Sequence, residues 1–161
     1  MKKISLRKAG NGDYDMYKKL YDKYDFLYKI NFENEAEQEE KSKKIIQELL
    51  INTSKLKQDE ETFYKGFIIK LDDIRIIEVD DEIAGYIYII RRKKSVKIAE
   101  MSISDYSIMN EIYLSKLIDC LFHDTRAENI WLIIPNNDAK KMFCNIGFEE
   151  SECHIIKRAQ Q

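Results

Sequence analysis

Glycine is scarce in this chain and proline is almost missing. Of 161 residues, five are glycine and one, Pro135, is proline, and no glycine lies between Gly85 and Gly147. With abundant Lys, Ile and Asn this reads as codon bias and points to no function. No Pro-, Gly- or Ser-rich stretch divides the sequence, so it shows no linker, repeat or low-complexity segment, and its length fits a single domain over residues 1–161. Also lacking is the run of ~20 apolar residues that a membrane span needs. Lys2 and Lys3 begin like a signal peptide, but no apolar core follows them. The expectation is a soluble cytoplasmic protein with no membrane partner. A basic excess is absent too: 27 Lys plus Arg face 29 Asp plus Glu, for a formal charge of −2. That balance excludes phosphate neutralisation, and with it nucleic acid, as the main business. The three cysteines are odd in number and widely spaced, which fits reduced thiols rather than a disulfide framework.

What is present is a core. Apolar residues make up 44% of the chain and aromatics 11%, enough to exclude disorder. Residues 3–8 alternate as a strand, and Gly10, Asn11 and Gly12 make a turn whose Asp13 is placed to cap the next helix. On that helix Tyr14, Tyr17, Tyr21, Tyr24 and Tyr28 recur at helical spacing, a face for packing or for one wall of an acceptor cleft. Asn34 and Glu37 form a capping box before a second helix, whose Glu37/Lys41, Glu39/Lys43 and Glu40/Lys44 pairs read as a solvated face. Residues 60–71 fit a short third helix. Residues 75–79, 83–90 and 96–103 form a meander of strands, turning at Asp80–Asp81 and over 91–94. A long periodic helix over 108–126, a strand over 129–134, a helix over 137–146 closed by Gly147, and a final strand over 148–157 complete the reading.

The C-terminal part is specific. After a strand ending in Ile134 and Pro135, the residues Asn136, Ala139, Phe143 and the pair Gly147–Phe148 stand in the register N-x-x-A-x-x-x-[YF]-x-x-x-G-F. Ile83, Ala84, Gly85 and Tyr86 form a second pattern, and Ile4, Leu6 and Arg7 with Asp13 a third. Together with the order β-α-α-β-β-β-α-β-α-β, these residues resemble the GNAT superfamily of N-acetyltransferases. The resemblance is strongest over 129–148 and weakest over 30–72. It implies an α/β (α+β) fold with a central, mostly antiparallel mixed sheet flanked by helices.

The resemblance also implies chemistry: transfer of an acetyl group from acetyl-CoA, as co-substrate, to a primary amine of a small molecule or a peptide N-terminus. Met101, Ser102 and Ile103 match the strand segment whose backbone pairs with pantetheine. Asn136, Ala139 and Phe143 lie in the cofactor-side helix motif. A glycine loop should cradle the pyrophosphate at the start of the long helix. Here its glycine sites fall near Glu111 to Leu114, with no glycine present and a carboxylate facing the phosphates. Asn110 and Ile112 are the residues left to shape that cradle, with Asp105 or Asn110 as cap. Phe143 takes the place of a tyrosine that often serves as general acid and has no proton to give; Cys144 and Tyr106 are imperfect substitutes. Glu100 stands where the family often carries a glutamate base, and Glu78 is a second candidate base. Both also fit plain strand carboxylates. Cys120 with His123 and Cys153 with His154 do not read as a metal site, because adjacent strand residues point to opposite faces. Proteins of this family often dimerise through their sheets or C-terminal strands, so a homodimer is a candidate assembly. The alternative to an enzyme is a GNAT-fold module that has lost catalysis and still binds a CoA-type ligand.

Overall fold

The computed structural model describes residues 1–23, 60–134 and 137–160. The expected helix after Asn34, the tyrosines Tyr24 and Tyr28, and Asn136 lie outside the described residues. The described elements are β1 (Ile4–Lys8), α1 (Tyr14–Lys23), α2 (Glu60–Lys70), β2 (Ile74–Val79), β3 (Glu82–Arg92), β4 (Ser95–Ile103), α3 (Glu111–Thr125), β5 (Asn129–Leu132), α4 (Asn137–Asn145), β6 (Glu149–Ser151) and β7 (His154–Arg158). The strands form one seven-stranded sheet in the order β1-β2-β3-β4-β5-β7-β6. Every neighbouring pair is antiparallel except β4 and β5, which run parallel.

Each face of the sheet carries its own core. Ile77, Ile87, Ile89, Met101 and Ile103 pack with Leu114, Leu117, Ile118 and Leu121 of α3 and with Ala139 and Phe143 of α4. On the opposite face Ile74, Ile76 and Tyr86 meet Tyr17 and Leu20 of α1 and Phe67 of α2. Tyr14, Tyr17 and Tyr21 do form a packed stripe there, in ring contact with Phe63, Phe67, Tyr64 and Tyr86.

Two bulges decide which side chains face which core. Tyr88 pairs with Glu100 but Ile89 pairs with Ile98, so Ala99 is an extra residue in β4. Alternation therefore changes phase: Val96 and Ile98 before the bulge, and Met101 and Ile103 after it, all enter the α3 core. Glu100 and Ser102 turn to the α1–α2 face instead. In β3, Ala84 is the extra residue, since Ile77 pairs with Gly85 and Glu78 with Ile83.

Several expectations need correction. The final strand is a hairpin, β6 and β7, turning at Glu152, whose φ of 45° lies in the left-handed region without the Gly or Asn that would announce it. The long helix starts at Glu111, because a 3-10 turn over Tyr106–Ile108 precedes its cap Asn110. The strand expected to reach 134 ends at Leu132. The turn at 91–94 narrows to Lys93 and Lys94, as β3 runs on to Arg92. Asp13 does not cap α1: its carboxylate takes the amide of Gly10 at 2.8 Å and the Arg7 guanidinium.

Candidate active site

The parallel pair β4–β5 is short. Pairing is confined to Ser95–Asn129, Val96–Ile130 and Lys97–Trp131, and β5 continues against β7. From Ile98 onward β4 pairs with β3 alone among the described strands. On its β5 side the backbone of Met101, Ser102 and Ile103 has no strand partner among the described residues, the place at which an extended ligand can pair with a strand. The three residues are buried, backbone included, at 0%, 1% and 1% exposure. The Ser102 hydroxyl donates to the Leu20 carbonyl at 2.8 Å and ties α1 to this strand.

Glu100 sits on β4 just before Met101, its side chain 21% exposed on the α1–α2 face. The hydroxyls of Tyr86 and Tyr17 donate to its Oε2 at 3.2 and 3.4 Å, and the Lys70 ammonium donates to Oε1 at 3.3 Å. Lys70 Nζ also stands 4.9 Å from the Tyr88 ring centre. Burial, with the Glu100 charge second, pushes the Tyr17 phenol well above its ordinary range, so that it stays a proton donor to the carboxylate. Glu100 is thus a carboxylate fixed in position by Tyr17, Tyr86 and Lys70 on the part of β4 that has left β5.

Glu78 is placed differently. It shares the α1 face of the sheet but pairs with Arg7 Nε at 3.4 Å. Arg7 forks onto Asp13, with Nη1 2.8 Å from Oδ2 and Nη2 2.9 Å from Oδ1. No described hydrogen bond joins Glu78 to Glu100, so the two candidate bases belong to separate networks.

The segment 104–114 does without glycine by using side-chain bonds. The amide and hydroxyl of Ser104 both donate to the Ala84 carbonyl, at 2.7 and 3.0 Å. Asp105 Oδ1 accepts from the amide and hydroxyl of Ser107, and Lys2 reaches both Asp105 and Ser107. Ile108 and Met109 plug into the core. Asn110 caps α3 by accepting the Tyr113 amide at 3.1 Å, as its sequence position suggests. Ile112 is 62% exposed in the first turn. The Glu111 carboxylate accepts from the Asn145 side chain at 2.7 Å and so is held toward α4.

Ala139 and Phe143 are fully buried in the α3 core, and the Phe143 ring meets Phe148 edge to face at 5.2 Å. Gly147, at φ 108°, lets the chain leave α4 while the Phe148 amide bonds back to the Phe143 carbonyl. The motif in 136–148 thus serves, in the part described, to seat α4 on the sheet. The groups around Glu100 that sequence reasoning missed are Tyr86, Tyr88 and Lys70. Tyr86 stood in the motif with Gly85, and alternation along β3 would have put it on one face with Tyr88. Lys70 carried no signal among so many lysines.

No family model and no curated protein sequence matches this chain. Solved structures do match it. The PaiA N-acetyltransferase of Thermoplasma acidophilum, in complex with coenzyme A, superposes with a TM-score of 0.61 at 13% identity, over 98% of this chain and 99% of its own. A spermidine N-acetyltransferase of Vibrio cholerae, in complex with CoA and spermine, gives 0.60 at 13% identity, over 96% and 92%. An N-acetylglutamate synthase of Neisseria gonorrhoeae, complexed with coenzyme A and N-acetyl-glutamate, gives 0.60 at 12% identity. That match covers 99% of this chain, which spans only 36% of the synthase. The likeness to these proteins defines the class of fold, an α/β domain of the acetyltransferase type. This chain has the GNAT acetyltransferase fold.

Proposed function

We propose that this protein transfers an acetyl group from acetyl-CoA to the amine of a small molecule. The observation that carries the reading is Glu100, fixed by Tyr17 and Tyr86 at the mouth of the parted β4–β5 edge. The backbone of Met101, Ser102 and Ile103, beyond the end of the β4–β5 pairing, would pair with the pantetheine arm and orient the thioester carbonyl. The amine would lose its proton to Glu100, directly or through water, and its nitrogen would attack the carbonyl carbon. The C–S bond breaks, and the thiolate takes its proton from water, since Phe143 has none to give. Rate then comes from positioning and from backbone polarisation of the carbonyl. The Asn110-capped start of α3 would face the phosphates, with the exposed Ile112 at its rim. Free thiols at Cys120, Cys144 and Cys153 suit a reducing interior, and a cytoplasmic location goes with the proposal.

Calorimetric or thermal-shift titration with acetyl-CoA tests the binding step, because a ligand of the folded state raises its melting temperature. With an amine panel, Glu100→Gln is expected to keep that binding and lower kcat by about 10²-fold or more. No melting shift at saturating acetyl-CoA removes the reading. The absent glycine cradle favours one other outcome: binding without turnover by any amine, which would make the chain a CoA-binding module.

A further inference from the structure

Lys70 is the last residue of α2, and its ammonium points at the Glu100 carboxylate. Nζ lies 3.3 Å from Glu100 Oε1 and 4.9 Å from the Tyr88 ring centre, with the Lys70 side chain 30% exposed. Oε2 of the same carboxylate is taken by Tyr17 and Tyr86, so Oε1 is the oxygen facing the cation. A carboxylate on one side and an aromatic face on the other make a seat for a primary ammonium, which donates N–H to the first and lays its charge on the second. A lysine side chain is itself an alkylammonium on a flexible unbranched stem. Under the acetyl-transfer reading, an acceptor that gives its proton directly to Oε1 of Glu100 brings its nitrogen to the place that Nζ holds.

We propose that Lys70 is a tethered stand-in for the acceptor. Its ammonium occupies the acceptor's seat, and the acceptor is a primary alkylammonium on an unbranched stem that enters as Lys70 swings out. The identity of the acceptor rests on the acetyl-transfer reading; the existence of the seat does not. Being tethered, Lys70 competes with any free amine at high effective concentration and weakens its apparent affinity. Lys70 thereby sets a threshold for the acceptor, and a cation without N–H cannot displace it fully.

The test compares wild type, Lys70→Ala and Lys70→Met, with propylammonium chloride as probe against sodium chloride of equal ionic strength. Lys70→Ala is expected to bind propylammonium about tenfold more tightly than wild type, read by calorimetry and by a rise in melting temperature. Lys70→Met, whose stem still fills the seat, gains less, and tetramethylammonium, which has no N–H, does not replace propylammonium. A Lys70→Ala protein that binds propylammonium no better than wild type, or binds tetramethylammonium equally well, overturns the seat. Acetyl-CoA added to the same proteins separates the two readings. Propylammonium bound by Lys70→Ala without formation of N-propylacetamide keeps the seat and removes acetyl transfer. Acetylation of other amines with no gain of binding in Lys70→Ala removes the seat and keeps acetyl transfer.

Discussion

Gly85 and Ser102 approach so closely across the β3–β4 ladder that a Cβ on residue 85 would lie 2.1 Å from the Ser102 carbonyl oxygen. Backbone, not a movable side chain, blocks the space, and Gly85 adjoins the bulge that re-phases β3. Gly85→Ala is therefore expected to force the two strands apart and to cost about 3 kcal/mol, read from denaturant midpoints. A loss under about 0.5 kcal/mol would show that the strands can separate there without strain.

The pairing of buried Arg75 with exposed Asp124 fastens the end of α3 to the sheet. Arg75 has a side chain only 2% exposed, its Nε 2.7 Å from Asp124 Oδ2, and its Nη1 donates to the Asp72 carbonyl at 2.6 Å. Asp124→Ala leaves the buried guanidinium with backbone carbonyls alone and should cost about 2 kcal/mol. The double change Arg75→Met with Asp124→Leu should be less damaging than Asp124→Ala alone, because no buried charge is stranded.

Stability should depend on acid through Asp13. Its carboxyl is held below the ordinary value of 3.8 by the hydrogen bond from Arg7, against the burial that raises it and with help from the Gly10 amide. A carboxyl depressed in the folded state contributes stability that is complete above its unfolded value and is lost as pH falls through the lower folded one. Melting temperature should thus drop more steeply for wild type than for Asp13→Asn between about pH 4 and about pH 2. Equal slopes would show that Asp13 does not carry the linkage.

Glu111 sets a charge of the wrong sign at the end of α3 that would face the phosphates. Glu111→Gln should strengthen acetyl-CoA binding a few-fold at low salt, with the gain fading as ionic strength rises. The same change should weaken the helix slightly, since an acidic first turn favours it and Asn145 loses a charged partner. Affinity unchanged at every salt concentration would mean that phosphates do not bind near this helix start.

Much of the scaffold was legible because local rules coincide with tertiary needs. The Asp80–Asp81 turn, with φ of 50° and 69°, closes the hairpin that the flanking alternation implies. Gly147 ends α4 where the motif has it, and the pairing of Arg7 with Asp13 gives a physical reason for both in the opening pattern. The site was harder to read. Glu100 was singled out by its place in the sequence, but its partners arrive from α1, α2 and β3, and Ala99 gives no sign that a bulge will turn it away from the core. The hairpin at Glu152 was hidden for a similar reason, since its turn rests on a residue without turn propensity.

The bond from the Ser102 hydroxyl to the Leu20 carbonyl has one chemically particular end and one generic end. Any residue at position 20 supplies the same carbonyl, so this tie to β4 does not depend on which side chain stands there. What the bond forbids is a slide of the helix along its axis, because the hydroxyl would lose its acceptor inside the protein. A helix anchored in this way keeps its distance from Glu100 constant. Tyr17, buried and bonded to Glu100, is held to the same reference, the strand.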